Sequence, residues 1–212
     1  MLIQNFITIK HLIISVIAMA AVPCFAQNQT QKNAASGNRV VFSWGFSYNE
    51  DRREDDNQSS QVEGLTDLRL GYQWRQGWYL GLYYGYEQEK IKANDYPVVG
   101  LYRDSRHTRV GYGLTGGYVY GSFYGMFNYL PICEWELRDV STTSVFRGGS
   151  GYQIDFGINF EFFGSPNFLL GPRLSYKYAE YSKEKTSSSE TELSPKLKRT
   201  ALDPYFILWF EF

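Results

Sequence analysis

The sequence predicts an all-β fold, an eight-stranded antiparallel up-and-down transmembrane β-barrel. Three observations carry that prediction. Apolar side chains recur at every second position, tight turns alternate with long polar connections, and mean hydropathy stays negative (−0.37) although 18% of the 212 residues are aromatic. A helical membrane protein would be more apolar and a disordered chain less aromatic. Length and composition suit one domain. The formal charge of −1, with no basic stripe, excludes a phosphate-tracking nucleic-acid binder.

Alternation marks a strand, because successive side chains point to opposite faces. The first segment sets Val40, Phe42, Trp44, Phe46 and Tyr48 against Val41, Ser43, Gly45, Ser47 and Asn49. The second sets Thr66, Leu68, Leu70, Tyr72 and Trp74 against Asp67, Arg69, Gly71 and Gln73. In the third, Trp78, Leu80, Leu82, Tyr84 and Tyr86 oppose Tyr79, Gly81, Tyr83, Gly85 and Glu87, and in the fourth Thr108, Val110, Tyr112 and Leu114 oppose Arg109, Gly111, Gly113 and Thr115. The fifth places Phe123, Phe127, Tyr129, Cys133 and Trp135 on one parity and Asn128, Glu134 and Glu136 on the other, which orients the uncharged set outward. The sixth opposes Tyr152, Ile154, Phe156, Ile158, Phe160 and Phe162 to Gln153, Asp155, Gly157, Asn159 and Glu161. The seventh pairs Leu170, Leu174, Tyr176 and Tyr178 with Gly171, Arg173, Ser175 and Lys177. The eighth runs to the end with Leu202, Phe206, Leu208, Phe210 and Phe212 against Asp203, Tyr205, Ile207, Trp209 and Glu211.

The connections turn this succession into a topology. Arg75-Gln76-Gly77, Tyr120-Gly121-Ser122 and Gly164-Ser165-Pro166-Asn167 have tight-turn chemistry, whereas residues 49–64, 89–106, 138–150 and 182–198 are long and polar. Short turns at one end and long loops at the other are the signature of a membrane barrel, with periplasmic termini and turns. Segments of about 10 to 13 residues suffice for a tilted transmembrane strand. A soluble barrel would need the greasy parity inside. The aromatics at strand ends (Trp44, Trp74, Trp78 and Trp135 as interfacial anchors) and an export signal favour lipid outside. Lys10, the apolar run 12–22 and Pro23-Cys24-Phe25-Ala26 before Gln27 read as a signal peptide at 1–26, followed by a polar lead at 27–38 and the barrel at 39–212. Cys24 would leave with the signal, so Cys133 becomes the sole thiol and no internal disulfide is expected.

The final strand, with Phe206, Leu208, Phe210 and a terminal Phe212, resembles the recognition signal of outer-membrane barrels. Strand count, loop asymmetry and terminus together resemble the small eight-stranded OmpX and OmpA-transmembrane-domain class. That resemblance implies residence in the outer membrane of a Gram-negative cell, among lipid and lipopolysaccharide. It also implies handling by periplasmic chaperones and the barrel-assembly machinery, and a surface ligand met through the long loops.

Eight strands enclose a space that side chains fill. Asp67, Arg69, Glu87, Arg109, Glu134, Asp155, Arg173, Lys177 and Asp203 are expected inside as a charge network, most of them at similar heights in the outer half. Unpaired charges there would be costly, so they should pair and plug the lumen, which disfavours a solute channel or proton path. Two apparent motifs carry less. Residues 111–116 satisfy G-x-G-x-x-G, yet Tyr118, Tyr120, Phe123 and Tyr124 continue a strand where a dinucleotide site needs a helix. Ser105 and His107 beside Glu87 and Glu89 suggest a lipid A deacylase-like hydrolase, the enzymatic alternative. They share the inward parity, and the Ser-x-His order reverses the His-x-Ser of lipid A deacylases. No catalysis, metal or cofactor is expected, since His107 is the sole histidine after residue 26. The acidic first loop (Glu50, Asp51, Glu54, Asp55, Asp56 and Glu63 against Arg52 and Arg53) reads as a solvated surface that stays wet.

Overall fold

A computed structural model describes residues 37–52, 60–93, 103–138, 143–162, 164–186 and 189–212. The expected signal peptide and most of the polar lead fall outside the described residues, as do the tips of the long connections. The strands are β1 (Arg39–Arg52), β2 (Ser60–Gln73), β3 (Trp78–Ala93), β4 (Arg103–Tyr120), β5 (Phe123–Arg138), β6 (Thr143–Ile158), β7 (Phe160–Phe162), β8 (Ser165–Lys185) and β9 (Glu190–Glu211). Sequence neighbours pair antiparallel, and the β6–β8 and β1–β9 ladders close the sheet into a ring of eight. The ninth piece, β7, continues β6. It is set off by Asn159, whose backbone N–H donates to Ser122 O in the β4–β5 turn at 2.7 Å. This is the predicted eight-stranded up-and-down barrel.

Each tight turn contains a glycine at positive φ, Gly77 at 94°, Gly121 at 59° and Gly164 at 66°, where any side chain would be strained. The third turn lies earlier than its sequence suggests, since Ser165 already pairs with Phe162 in the β7–β8 ladder. A larger difference concerns the long connections, much of whose expected length is strand. β8 and β9 run for 21 and 22 residues and pair out to Lys185 and Glu190. Hydrophobic alternation stops where the surroundings become aqueous, but the backbone ladder continues, helped by cross-strand ion pairs such as Lys196 with Glu180 at 2.7 Å. That hydrogen bond from Lys196 holds the Glu180 carboxyl below the ordinary carboxylate value.

The outer face carries the apolar parity: Leu70, Leu80, Leu82, Leu114, Phe156 and Phe206 are all exposed. The inner face carries Asp67, Arg69, Asp155 and Arg173, each buried. This inversion of the soluble-protein pattern is the architecture of a transmembrane barrel. Even a polar group on the outer face is satisfied, because Trp44 Nε1 donates to Thr66 Oγ1 at 2.7 Å and Thr66 donates onward to Gly45 O. Among the described residues no helix is long and apolar enough to cross a membrane.

The predicted orientation of β5 is corrected in its outer half. The ladder skips between Tyr112/Leu114 on the β4 side and between Leu130/Cys133 and Cys133/Trp135 on the β6 side. Pro131, which has no N–H to donate, and Ile132 both face outward in this β-bulge, so the parity reverses after it. Cys133 and Trp135 therefore point into the barrel, and Glu134 and Glu136 point out.

The β1–β9 seam is shorter than its neighbours. It pairs from Val41 with Glu211 to Phe46 with Phe206, and Val40 and Phe212 exchange two further backbone bonds at 3.0 and 2.9 Å. Pairing stops where the next positions would bring Pro204, another residue without an N–H, opposite Tyr48.

Candidate functional site

From the short-turn end upward the lumen is layered. Val41, Tyr79, Tyr124, Met126, Leu169, Ile207 and Trp209 pack into an apolar floor. Above it lies a four-charge tier drawn from β2, β6 and β8. Arg173 donates to both oxygens of Asp67, the Nη1 bond measuring 3.0 Å, and Arg69 donates to Asp155 at 2.5 Å. All four side chains are 0% exposed. Neutral groups add to the shell: Asn128 donates to Asp155 at 2.6 Å, Gln153 to the same carboxylate at 2.8 Å, and Tyr83 to Gln153 at 2.8 Å. The Arg173 guanidinium also lies 4.1 Å from the centre of the Tyr205 ring. Gly45 is required here, because a β-carbon at that position would stand 2.4 Å from Asp67 Oδ1.

A second tier sits nearer the long-loop end. Lys177 donates to Glu87 and to the Tyr205 hydroxyl, and lies 3.1 Å from Asp203. Arg109 reaches Glu89 at 2.9 Å and Glu87 at 3.4 Å, and Arg199 reaches Glu87 at 3.0 Å. His107 Nδ1 lies 3.2 Å from Glu89. Beside this tier Cys133, Tyr181, Trp135 and Phe146 form an aromatic cluster, with Trp135 stacked on Phe146 at 4.9 Å and under Arg109 at 5.3 Å. The cavity bounded by Tyr83, Glu87, Arg109, Cys133, Lys177 and Arg199 is about 60 Å³, room for a few waters.

Eight of the nine residues expected in the lumen network face the lumen. Glu134 is corrected: its side chain is 43% exposed on the outer wall and 3.6 Å from Arg147, because the β5 bulge reverses the parity. The single level expected for these charges is resolved into two, since barrel strands are staggered and counting from loop ends misjudges height. Of the expected interfacial tryptophans, Trp74 and Trp78 flank the first tight turn, in edge contact with Tyr72 and Tyr118 at 5.2 Å each. Trp44 lies in the middle of its apolar run opposite Leu68 and Leu208, and Trp135 lies inside. Phe206, Leu208, Phe210 and Phe212 share the outer face, with Phe210 stacked on Phe168 at 4.9 Å. The sequence reading missed Asn128, Gln153, Tyr83 and Arg199 as members. The first three already stood on the inward parity and lacked only a charge to draw notice, whereas Arg199 adjoined a segment read as loop.

For catalysis, the register sets His107 beside Glu89 and Ser105 beside Ile91, while the Ser105 side chain falls outside the described residues. Among the described residues no group of three or more His, Cys, Asp or Glu could hold a metal ion.

No protein-family model matches the sequence, and no curated protein matches it. Among solved structures the chain is similar to the translocator domain of the autotransporter NalP from Neisseria meningitidis, at 11% identity and TM-score 0.43, covering 89% of this chain and 68% of that one. It is also similar to the beta domain of the Bordetella autotransporter BrkA (11% identity, 84% and 99% covered, TM-score 0.41) and to Neisserial surface protein A (14% identity, 84% and 98% covered, TM-score 0.37). Strand register and the distribution of polarity define the fold independently of these likenesses.

Proposed function

We propose that this chain is an integral β-barrel of a Gram-negative outer membrane, small and closed in the manner of the OmpX and OmpA-transmembrane-domain class. On this reading it serves a structural or adhesion-type role at the cell surface, not transport or catalysis. The observation that carries this reading is the Asp67–Arg173 and Arg69–Asp155 tier, which fills the lumen with side chains fully withdrawn from solvent. Arrangements of this kind fix register and block leakage, because a paired charge cannot leave its partner in a poorly hydrated interior without large cost. The surface role draws support from the strands that continue past the apolar belt, making a sheet collar of what would otherwise be loops. Periplasmic chaperones and the assembly machinery, reading Phe206, Leu208, Phe210 and Phe212, are the partners this reading assigns to biogenesis. A ligand at the long-loop end is the partner assigned to the mature barrel.

Planar-bilayer recording of the purified barrel tests the closed lumen. No discrete conductance steps are expected from the native protein, and regular steps would overturn the reading in favour of a channel. The hydrolase alternative is tested separately. Replacing His107 by Ala is expected to leave the lipid A mass spectrum of the producing cells unchanged, and a shifted spectrum would restore that alternative.

A further inference from the structure

On the outer wall, three cations stand side by side on three adjacent strands. Lys90 of β3 is the register partner of Arg106 of β4, which is in turn the partner of Arg138 of β5. Neither ladder shifts between these pairs and the apolar belt, so all three share the parity of Tyr86, Val110 and Ile132 and face the membrane side of the wall. All three are exposed. Among the described residues only Arg138 has an acidic partner, Glu136 at 2.9 Å, and neither Lys90 nor Arg106 makes an ion pair.

Like charges placed directly opposite one another on a sheet repel, their β-carbons only about 5 Å apart. Two such repulsions in one row are relieved together by an anion seated between the cations. The height of the row selects the anion. Arg106 lies four residues beyond Val110 and Lys90 four beyond Tyr86, which for tilted strands is about 10 Å above the belt, at the level of lipid head groups. The row looks sideways into that layer. Arginine forks match phosphate oxygens two at a time, and lysine adds a point charge. The acids just below are engaged in turn, Glu136 by Arg138 and Glu134 by Arg147 at 3.6 Å.

We propose that Lys90, Arg106 and Arg138 form a docking site for the phosphate groups of an outer-leaflet glycolipid of the lipid A type. The site rests on the outer-membrane reading above and names the lipid that barrel holds. The test uses the folded barrel reconstituted in phosphatidylcholine vesicles containing bis-phosphorylated lipid A, then extracted in mild detergent and weighed by native mass spectrometry. Wild type is expected to retain lipid A. The variant K90Q/R106Q/R138Q is expected to retain at least tenfold less while keeping its heat-dependent gel shift, and the control K196Q/K198Q is expected to match wild type. Equal retention by wild type and the triple variant would overturn the site. So would equal retention of phosphatidylglycerol in its place, or complete displacement by millimolar inorganic phosphate, which would reveal a general anion surface. Failure of the wild-type protein to show a heat-dependent gel shift would instead contradict the barrel reading itself.

Discussion

Arg173 is held in two ways at once, by both oxygens of Asp67 and by the Tyr205 ring, with no exposed side-chain surface. Removing one member of such a pair strands the other charge. Arg173→Met is therefore expected to destabilise the barrel by about 3–5 kcal/mol, measured by urea unfolding in lipid vesicles. Glu134→Gln is expected to change stability by no more than about 1 kcal/mol, since its pair with Arg147 is solvent-exposed. Equal effects would mean that Glu134 belongs to the lumen network after all. Gly45→Val places branched carbon where the Asp67–Arg173 pair sits, and loss of the heat-resistant folded band is the expected outcome. Most of these charges were legible from sequence because one face of each strand excludes them. Glu134 and Trp135 were not, since the extra residue near Pro131 reverses the parity without altering the composition of the segment.

At the scale of the element, the β5 bulge makes a claim about Cys133. The residue is 4% exposed and its side chain faces the lumen, so it should resist a membrane-permeant maleimide until the barrel is unfolded. A cysteine at position 132, in a Cys133→Ser background, should react in the native state; rapid labelling of native Cys133 would contradict the bulge. The β1–β9 seam makes another. Deleting Glu211 and Phe212 removes the Arg39–Glu211 ion pair and both backbone bonds between Val40 and Phe212, so closure is expected to fail in a large fraction of molecules, read as loss of the compact band on unheated gels. Strand existence and order were readable because bilayer-facing positions must be apolar and lumen-facing positions need not be. Strand ends were not, because above the belt both faces meet water. There the ladder is held by backbone bonds and ion pairs such as Lys183 with Glu190, which leave no period-two pattern to read.

Across the whole molecule, one physical inversion organises everything else. Exposed leucine and phenylalanine ring the wall while ionic pairs fill the centre, an arrangement that water alone would not sustain because it exposes apolar area and buries charge. The direct measurement is depth-resolved quenching. A fluorophore placed on cysteine at position 82, 114 or 156 in a Cys133→Ser background is to be recorded in vesicles whose acyl chains carry a nitroxide. Outward-facing positions predict strong quenching at all three by the lipid-borne quencher and little by a water-soluble one; quenching by the aqueous reagent alone would show that these side chains do not face lipid.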